Sequence, residues 1–224
     1  MVARVTVVSV IEAVAGDLRA RILAGDIAPG DALGEVEVAA TYDVARPTAK
    51  AAIEELVRAR LLERKAHKTA RVVRLSPDDA RDIYRARALV EAGVVRTLAQ
   101  QRWVPDAARA ANLEIATLDK ASLRDVVEPD MRFHRSLVDA VGSMRTSRIY
   151  ETLTSEVVFC MSQVQGAALL PTALIVHEHE RILALVEAGD GEAAAELLEV
   201  HIGRARERLV ERLGGAAGVE AALP

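Results

Sequence analysis

From Ser76 to Leu213 the chain places its apolar residues at helical spacing, in runs separated by short turns, and no stretch alternates convincingly as a strand would. A pattern of that length confines this part of the protein to a bundle of helices. The runs predict helices over 77–101, 104–118, 120–141, 145–164, 171–188 and 191–213, with a break allowed near Pro129 in the third. The opening SPDD is a strong start signal, with Ser76 as N-cap, Pro77 at the first helical position and two acids in the first turn. It therefore marks a domain boundary, between residues 1–75 and an all-helical domain over 76–214, with GGAAGVEAALP at 215–224 as a flexible tail.

The first region reads differently. SVIEAVAGDLRARILAG carries Ile11, Val14, Leu18, Ile22 and Leu23 on one stripe and ends at Gly25. EVEVAATYDV and ARPTAKAAIEELVRARLLE predict two more helices, the second tolerating Pro47 in its first turn, and RKAHKTARVVRLS alternates basic with small or apolar residues as a two-stranded ribbon would. Three helices followed by a basic ribbon make a winged helix-turn-helix, so the fold class is mainly α, a winged helix-turn-helix ahead of a helical bundle. Aromatic residues are only 3% of the chain, which weighs against a sandwich or barrel.

Charge distribution supports the division. Net charge is −4 overall, yet residues 44–74 hold nine Lys and Arg against Glu54, Glu55 and Glu63, a local excess of +6. A compact basic segment in an acidic protein fits a polyanion-binding module. Cys160 is alone, which excludes an intramolecular disulfide and suits a reducing cytoplasm. Glu12 interrupts the amino-terminal VTVVSVIEAVA, which argues against a secretion signal, and no run approaches the length of a membrane span.

Within the bundle, DMRFHRSLVDAVG sets Asp130 and His134 four residues apart, on one helical face beside Phe133 and Leu137. Burying a carboxylate and an imidazole unpaired is costly, so the pair calls for a partner.

The ordered set of LRARILAGDIAPGDAL, VARPTAK, the basic ribbon, IYRARALVEAGVV, DMRFHRSL and HEHERILALVEAGDGEAAAELLEVHI resembles the GntR family of bacterial transcription regulators, in its FadR-like subfamily with an all-helical, metal-binding effector domain of the FCD type. The resemblance covers roughly residues 10–212 and implies double-stranded DNA as a partner, with Arg46, Thr48 and Lys50 on the recognition helix and Arg64, Lys65, His67 and Lys68 on the wing. Ala45 stands where the family usually has a serine and Thr69 where it has a wing-tip glycine, departures that bear on the operator sequence. It further implies a divalent metal held by Asp130, His134, His179 and His201, the Glu178–His179 pair selecting His179 over His177. Three imidazoles and a carboxylate suit Zn²⁺ first, with Ni²⁺, Mn²⁺ or Fe²⁺ also compatible. Arg87, Glu91 and Ser143 fall at effector-site positions, Ser143 replacing a usual asparagine, and Arg87 with Glu91 reads either as a routine helical pair or as a carboxylate clamp.

The resulting expectation is a cytoplasmic, homodimeric regulator that reads a palindromic operator and responds to a small organic acid, a dicarboxylate or hydroxy acid before a fatty acyl chain. The rival reading is a metal-dependent, hydrolase-like enzyme using the same Asp/His set, for which the sequence shows no evident general base.

Overall fold

Ser9 begins the first helix with a reciprocal cap. Its hydroxyl accepts from the Glu12 N–H at 3.2 Å while the Glu12 carboxylate accepts from the Ser9 N–H at 2.9 Å, satisfying two of the donors that a helix start leaves open. The computed structural model describes residues 9–65, 68–118, 122–164 and 168–214. It divides the chain into two units, Met1–Arg74 and Leu75–Pro224.

In the first unit α1 (Val10–Ala24) buries Val14, Leu18 and Ile22 and stops at Gly25, whose φ of 82° is the left-handed geometry glycine adopts without strain. There follow β1 (Ala32–Leu33), α2 (Glu35–Thr41), α3 (Arg46–Arg58), β2 (Leu62–Glu63) and β3 (Ala70–Val72). α3 packs against α1 and α2 through Ala49, Ala52, Ile53 and Leu56. The sheet runs β1-β3-β2, antiparallel throughout, with Ala32 opposite Arg71 and Leu62 opposite Val72.

This wing differs from the sequence reading in two ways. α3 ends five residues early, because Arg60 takes a φ of 59° and turns Leu62 and Glu63 into a strand. The ribbon also gains a third strand, Ala32–Leu33, too short to show an alternating pattern. Ala66 and His67 lie outside the described residues.

Among its described residues the second unit forms six helices: α4 (Pro77–Gln101), α5 (Asp106–Ala116), α6 (Leu123–Ala140), α7 (Met144–Ser162), α8 (Thr172–Ala188) and α9 (Gly191–Arg212). Capping boxes of Ser76 with Asp79 and Ser122 with Asp125 open α4 and α6. α6 runs through Pro129 without a break. The missing N–H costs one bond, and the burial of Val126 before it and Met131, Phe133 and Leu137 after it keeps both halves helical.

α4 and α9 pack along their lengths, α5 lies against α6 and α8, and α7 closes on α4 and α6. The shared core includes Val95, Leu98, Ile115, Phe133, Ile182 and Leu198. Gly191 opens α9 so close to α4 that a β-carbon there would sit 3.1 Å from the Arg96 Cα, so the glycine sets the approach of the two helices. Among the described residues no helix is long and apolar enough to cross a membrane. The tail at 215–224 lies outside the described residues.

Candidate metal centre

Asp130 and His134 project from successive turns of α6 toward the bundle interior, where α8 supplies His179 and α9 supplies His201. One donor atom from each of the four lies within 4.8 Å of all the others. The His179 and His201 Nε2 atoms are 3.3 Å apart, and the Asp130 Oδ1 lies 3.6 Å from His179 Nε2 and 3.8 Å from His134 Nε2. His177, two residues before His179 and on another side of α8, is exposed.

Each imidazole is held from outside by an oxygen. His134 donates from Nδ1 to Glu91 Oε2 at 2.5 Å, and His201 from Nδ1 to Glu178 Oε2 at 2.8 Å. His179 Nδ1 meets Asn112 Oδ1 at 3.1 Å, an orientation fixed because the Asn112 amide N–H donates to the Val176 carbonyl at 3.1 Å. Since these oxygens act as acceptors, the proton sits on Nδ1 and every Nε2 turns a lone pair inward. The Phe133 ring stacks on His179 at 3.6 Å and completes its support.

These supports are themselves held. Glu91 Oε1 accepts from Arg87 Nε at 2.6 Å and from the Tyr150 hydroxyl at 2.7 Å, and Glu178 pairs with Arg204. Burial pushes the Glu91 carboxyl up, but hydrogen-bonded His134 and the Arg87 guanidinium outweigh it and hold the group below the usual carboxylate range. Burial lowers all three histidines below their usual value near 6.5, His179 most strongly because His201 and His134 crowd it. Neutral imidazole is the form that binds a metal.

The residues fit a cation better than they fit one another. Inward lone pairs 3.3 Å apart repel, and the buried His134 Nε2 finds no hydrogen-bond partner among the described residues. Separations of 3.3–3.8 Å are those expected between donors sharing one ion with bonds of about 2.0–2.2 Å. An Nδ1–H···O contact behind each imidazole is the usual support of a ligating histidine.

Beside the cluster is a cavity of about 30 Å³, bounded by Arg87, Asp130 and His201 at one end and by apolar side chains elsewhere. Arg87 Nη2 is buried, 3.9 Å from Asp130 Oδ2, and makes no hydrogen bond among the described residues. Glu91, read from the sequence as an effector contact, bonds His134 instead of facing the cavity. Ser143 caps α7, accepting from the Thr146 N–H at 3.3 Å, and does not line the cavity.

In the first unit Arg46 and Lys50 are exposed on the first turns of α3, with Thr48 half-buried between them, and Lys65 and Lys68 are exposed on the wing. Arg64 is held within the unit, 2.8 Å from Glu54 and 3.4 Å from Glu35. His67 falls outside the described residues.

Sequence reasoning missed Asn112, Tyr150, Glu178 and Arg204. Asn112 left a trace as the one polar residue on the buried stripe of Ala108, Ala111 and Ile115 in α5. Glu178 was visible only as a neighbour of His179, although the two point about 100° apart on α8, toward different partners.

Comparison with known proteins agrees with both halves. The description "Bacterial regulatory proteins, gntR family" matches residues 10–72, and the FCD domain matches residues 82–204. An uncharacterized HTH-type transcriptional regulator, BphR of Paraburkholderia xenovorans (strain LB400), is 28% identical over 206 residues, covering 87% of this chain and 82% of that one. The fold is that of a GntR transcriptional regulator from Rhodococcus sp. RHA1 (TM-score 0.75, 23% identity, 90% of this chain and 97% of that one) and of McbR/YncC from E. coli (TM-score 0.64, 18% identity, 88% and 94%). The chain thus belongs to the GntR family of bacterial transcriptional regulators, with a DNA-binding helix-turn-helix followed by a helical FCD domain.

Proposed function

We propose that this regulator is a cytoplasmic homodimer whose affinity for a palindromic operator is set by a small carboxylate bound at a divalent metal, Zn²⁺ foremost. Asp130, His134, His179 and His201 hold the ion, which when bound supplies a positive centre with positions open to carboxylate oxygens. The observation that carries this reading is the buried cluster of inward Nε2 lone pairs beside an Arg87 Nη2 that makes no hydrogen bond among the described residues. A buried guanidinium nitrogen without a hydrogen-bond acceptor, beside a bound cation, favours an anion that brings oxygens.

Arg46 and Lys50 read bases or adjacent phosphates, Thr48 contacts phosphate, and Lys65, His67 and Lys68 track the backbone from the wing. Arg64 braces that wing. Glu91 and Glu178 are both engaged on histidine Nδ1 atoms, which supports sensing over turnover, since neither is placed as a general base.

Elemental analysis of the purified protein tests the metal, and gel shifts with a carboxylate panel test the switch. About one ion per chain is expected, lost in His134→Ala or His201→Ala and kept in His177→Ala. A metal lost in His177→Ala and kept in His179→Ala would contradict the assignment, as would operator affinity indifferent to every acid in the metal-loaded protein.

A further inference from the structure

We infer that the cavity selects monocarboxylic acids with a short apolar tail. The inference rests on the reading above and names the chemical class of its ligand. Two observations carry it. The first is the division of the cavity wall, with Arg87, Asp130 and His201 together at one end and Val126, Val127, Met161, Leu169, Leu170 and Ile175 around the rest. Among the described residues Arg87 is the single cationic side chain of that wall, and its Nη2, which makes no hydrogen bond there, accounts for one carboxylate together with the metal.

The second is where the remaining polar groups go. Glu91, Glu178 and Asn112 are engaged on histidine Nδ1 atoms and the Tyr150 hydroxyl on Glu91, so none of them is offered to the apolar end. A second carboxylate there would be buried against valine, leucine and isoleucine without a donor, at a cost that aliphatic carbons avoid. The dicarboxylate or hydroxy acid expected from the sequence gave Arg87 a second carboxylate of its own, whereas in this reading Arg87 and the metal share one.

Size limits the tail. A cavity of about 30 Å³ holds one or two water-sized groups as it stands, so a tail of three or four carbons requires the wall to give, and Met161, with its flexible unbranched chain, is the wall residue best able to yield that room. Ala205, one turn beyond His201 on α9, bounds the same space, so a larger side chain there fills it.

The test is calorimetric titration of the Zn²⁺-loaded full chain with acetate, propanoate, butanoate, pentanoate and octanoate, and with malonate, succinate and glutarate. Affinity should rise roughly fourfold per methylene through the short acids, from burial of apolar surface, and collapse at octanoate. Butanoate should bind at least about tenfold tighter than succinate, which differs by one buried charge. Ala205→Leu should keep its zinc and acetate binding while losing pentanoate. Succinate tighter than butanoate, or affinity flat along the monoacids, would overturn the selectivity and leave the metal-bound carboxylate intact. Failure of every acid in both series would overturn the proposed effector site itself, and with it this inference.

Discussion

Glu91 and His134 share a hydrogen bond of 2.5 Å inside the bundle, and the other oxygen of the same carboxylate takes both Arg87 and Tyr150. One side chain of α4 therefore orients a metal ligand of α6, neutralises the guanidinium that faces the cavity and ties down α7. A ligating imidazole is made more basic and its tautomer fixed by such a carboxylate. Glu91→Gln should lower metal affinity by roughly 10–100-fold, because the amide cannot serve three donors at once and no longer balances Arg87. Competition against a chelating dye measures this. Unchanged affinity in a folded Glu91→Gln protein would reduce Glu91 to a helical pair with Arg87.

Without metal, the three histidines make the bundle acid-labile. Burial depresses their pKa values below the usual 6.5, so the unfolded chain holds more protons than the folded one from about pH 6.5 down to the folded values. Stability is fully present above that window and is lost as the pH falls through it, by at most about 1.4 kcal/mol per pH unit for each histidine. Urea unfolding of chelated protein at pH 7.5, 6.5 and 5.5 should show the decline, and saturating Zn²⁺ should restore stability where the ligands remain unprotonated. Equal stability of the chelated protein at all three values would mean that the cluster is hydrated, not buried.

Much of this centre was legible because helical period is a local property. Ser76 and Gly189 mark helix ends, and Asp130 with His134 is a four-residue spacing that any helix turns into a common face. The choice of His179 over His177 needed the family resemblance, since periodicity alone leaves the rotation of α8 open. The support shell was hidden for a different reason. Glu91 and His134, His201 and Glu178, and Asn112 and His179 meet only through packing of separate helices, and no local pattern encodes a partner 67 residues away. The wing was hidden by brevity: Ala32–Leu33 pairs with β3 over two residues, fewer than an alternation requires.

Cys160 is fully buried in α7, and burial, with Glu156 and Asp79 nearby, pushes its thiol up to about 12. A thiol so disfavoured as thiolate should be inert to a disulfide reagent at pH 8. Modification is expected to follow the unfolding rate in urea, and Cys160→Ala should cost stability as a small cavity does while keeping its zinc. Rapid stoichiometric labelling of the folded protein would place the sulfur at the surface.

The placement of Arg64 separates the basic residues of the first unit into two groups. Arg46, Lys50, Lys65 and Lys68 are exposed, whereas Arg64 lies between Glu54 of α3 and Glu35 of α2, its side chain 23% exposed. A cation already paired with two carboxylates releases few counterions when DNA arrives, so its removal should not alter the salt dependence of binding. Lys68→Ala should weaken all sequences alike and lower the slope of log K against log salt by about 1, the signature of a lost phosphate contact. Arg46→Ala should cost about 1–3 kcal/mol on the operator and relax preference at one base position, as expected if its guanidinium reads a guanine edge. Arg64→Ala should instead leave the slope unchanged and lower the stability of the unit by about 1 kcal/mol or less, the range of partly exposed ion pairs. Salt titrations of the three variants against wild type on one operator and one unrelated duplex decide among these roles. A slope in Arg64→Ala that falls as far as in Lys68→Ala would show that Arg64 leaves its glutamates to bind phosphate.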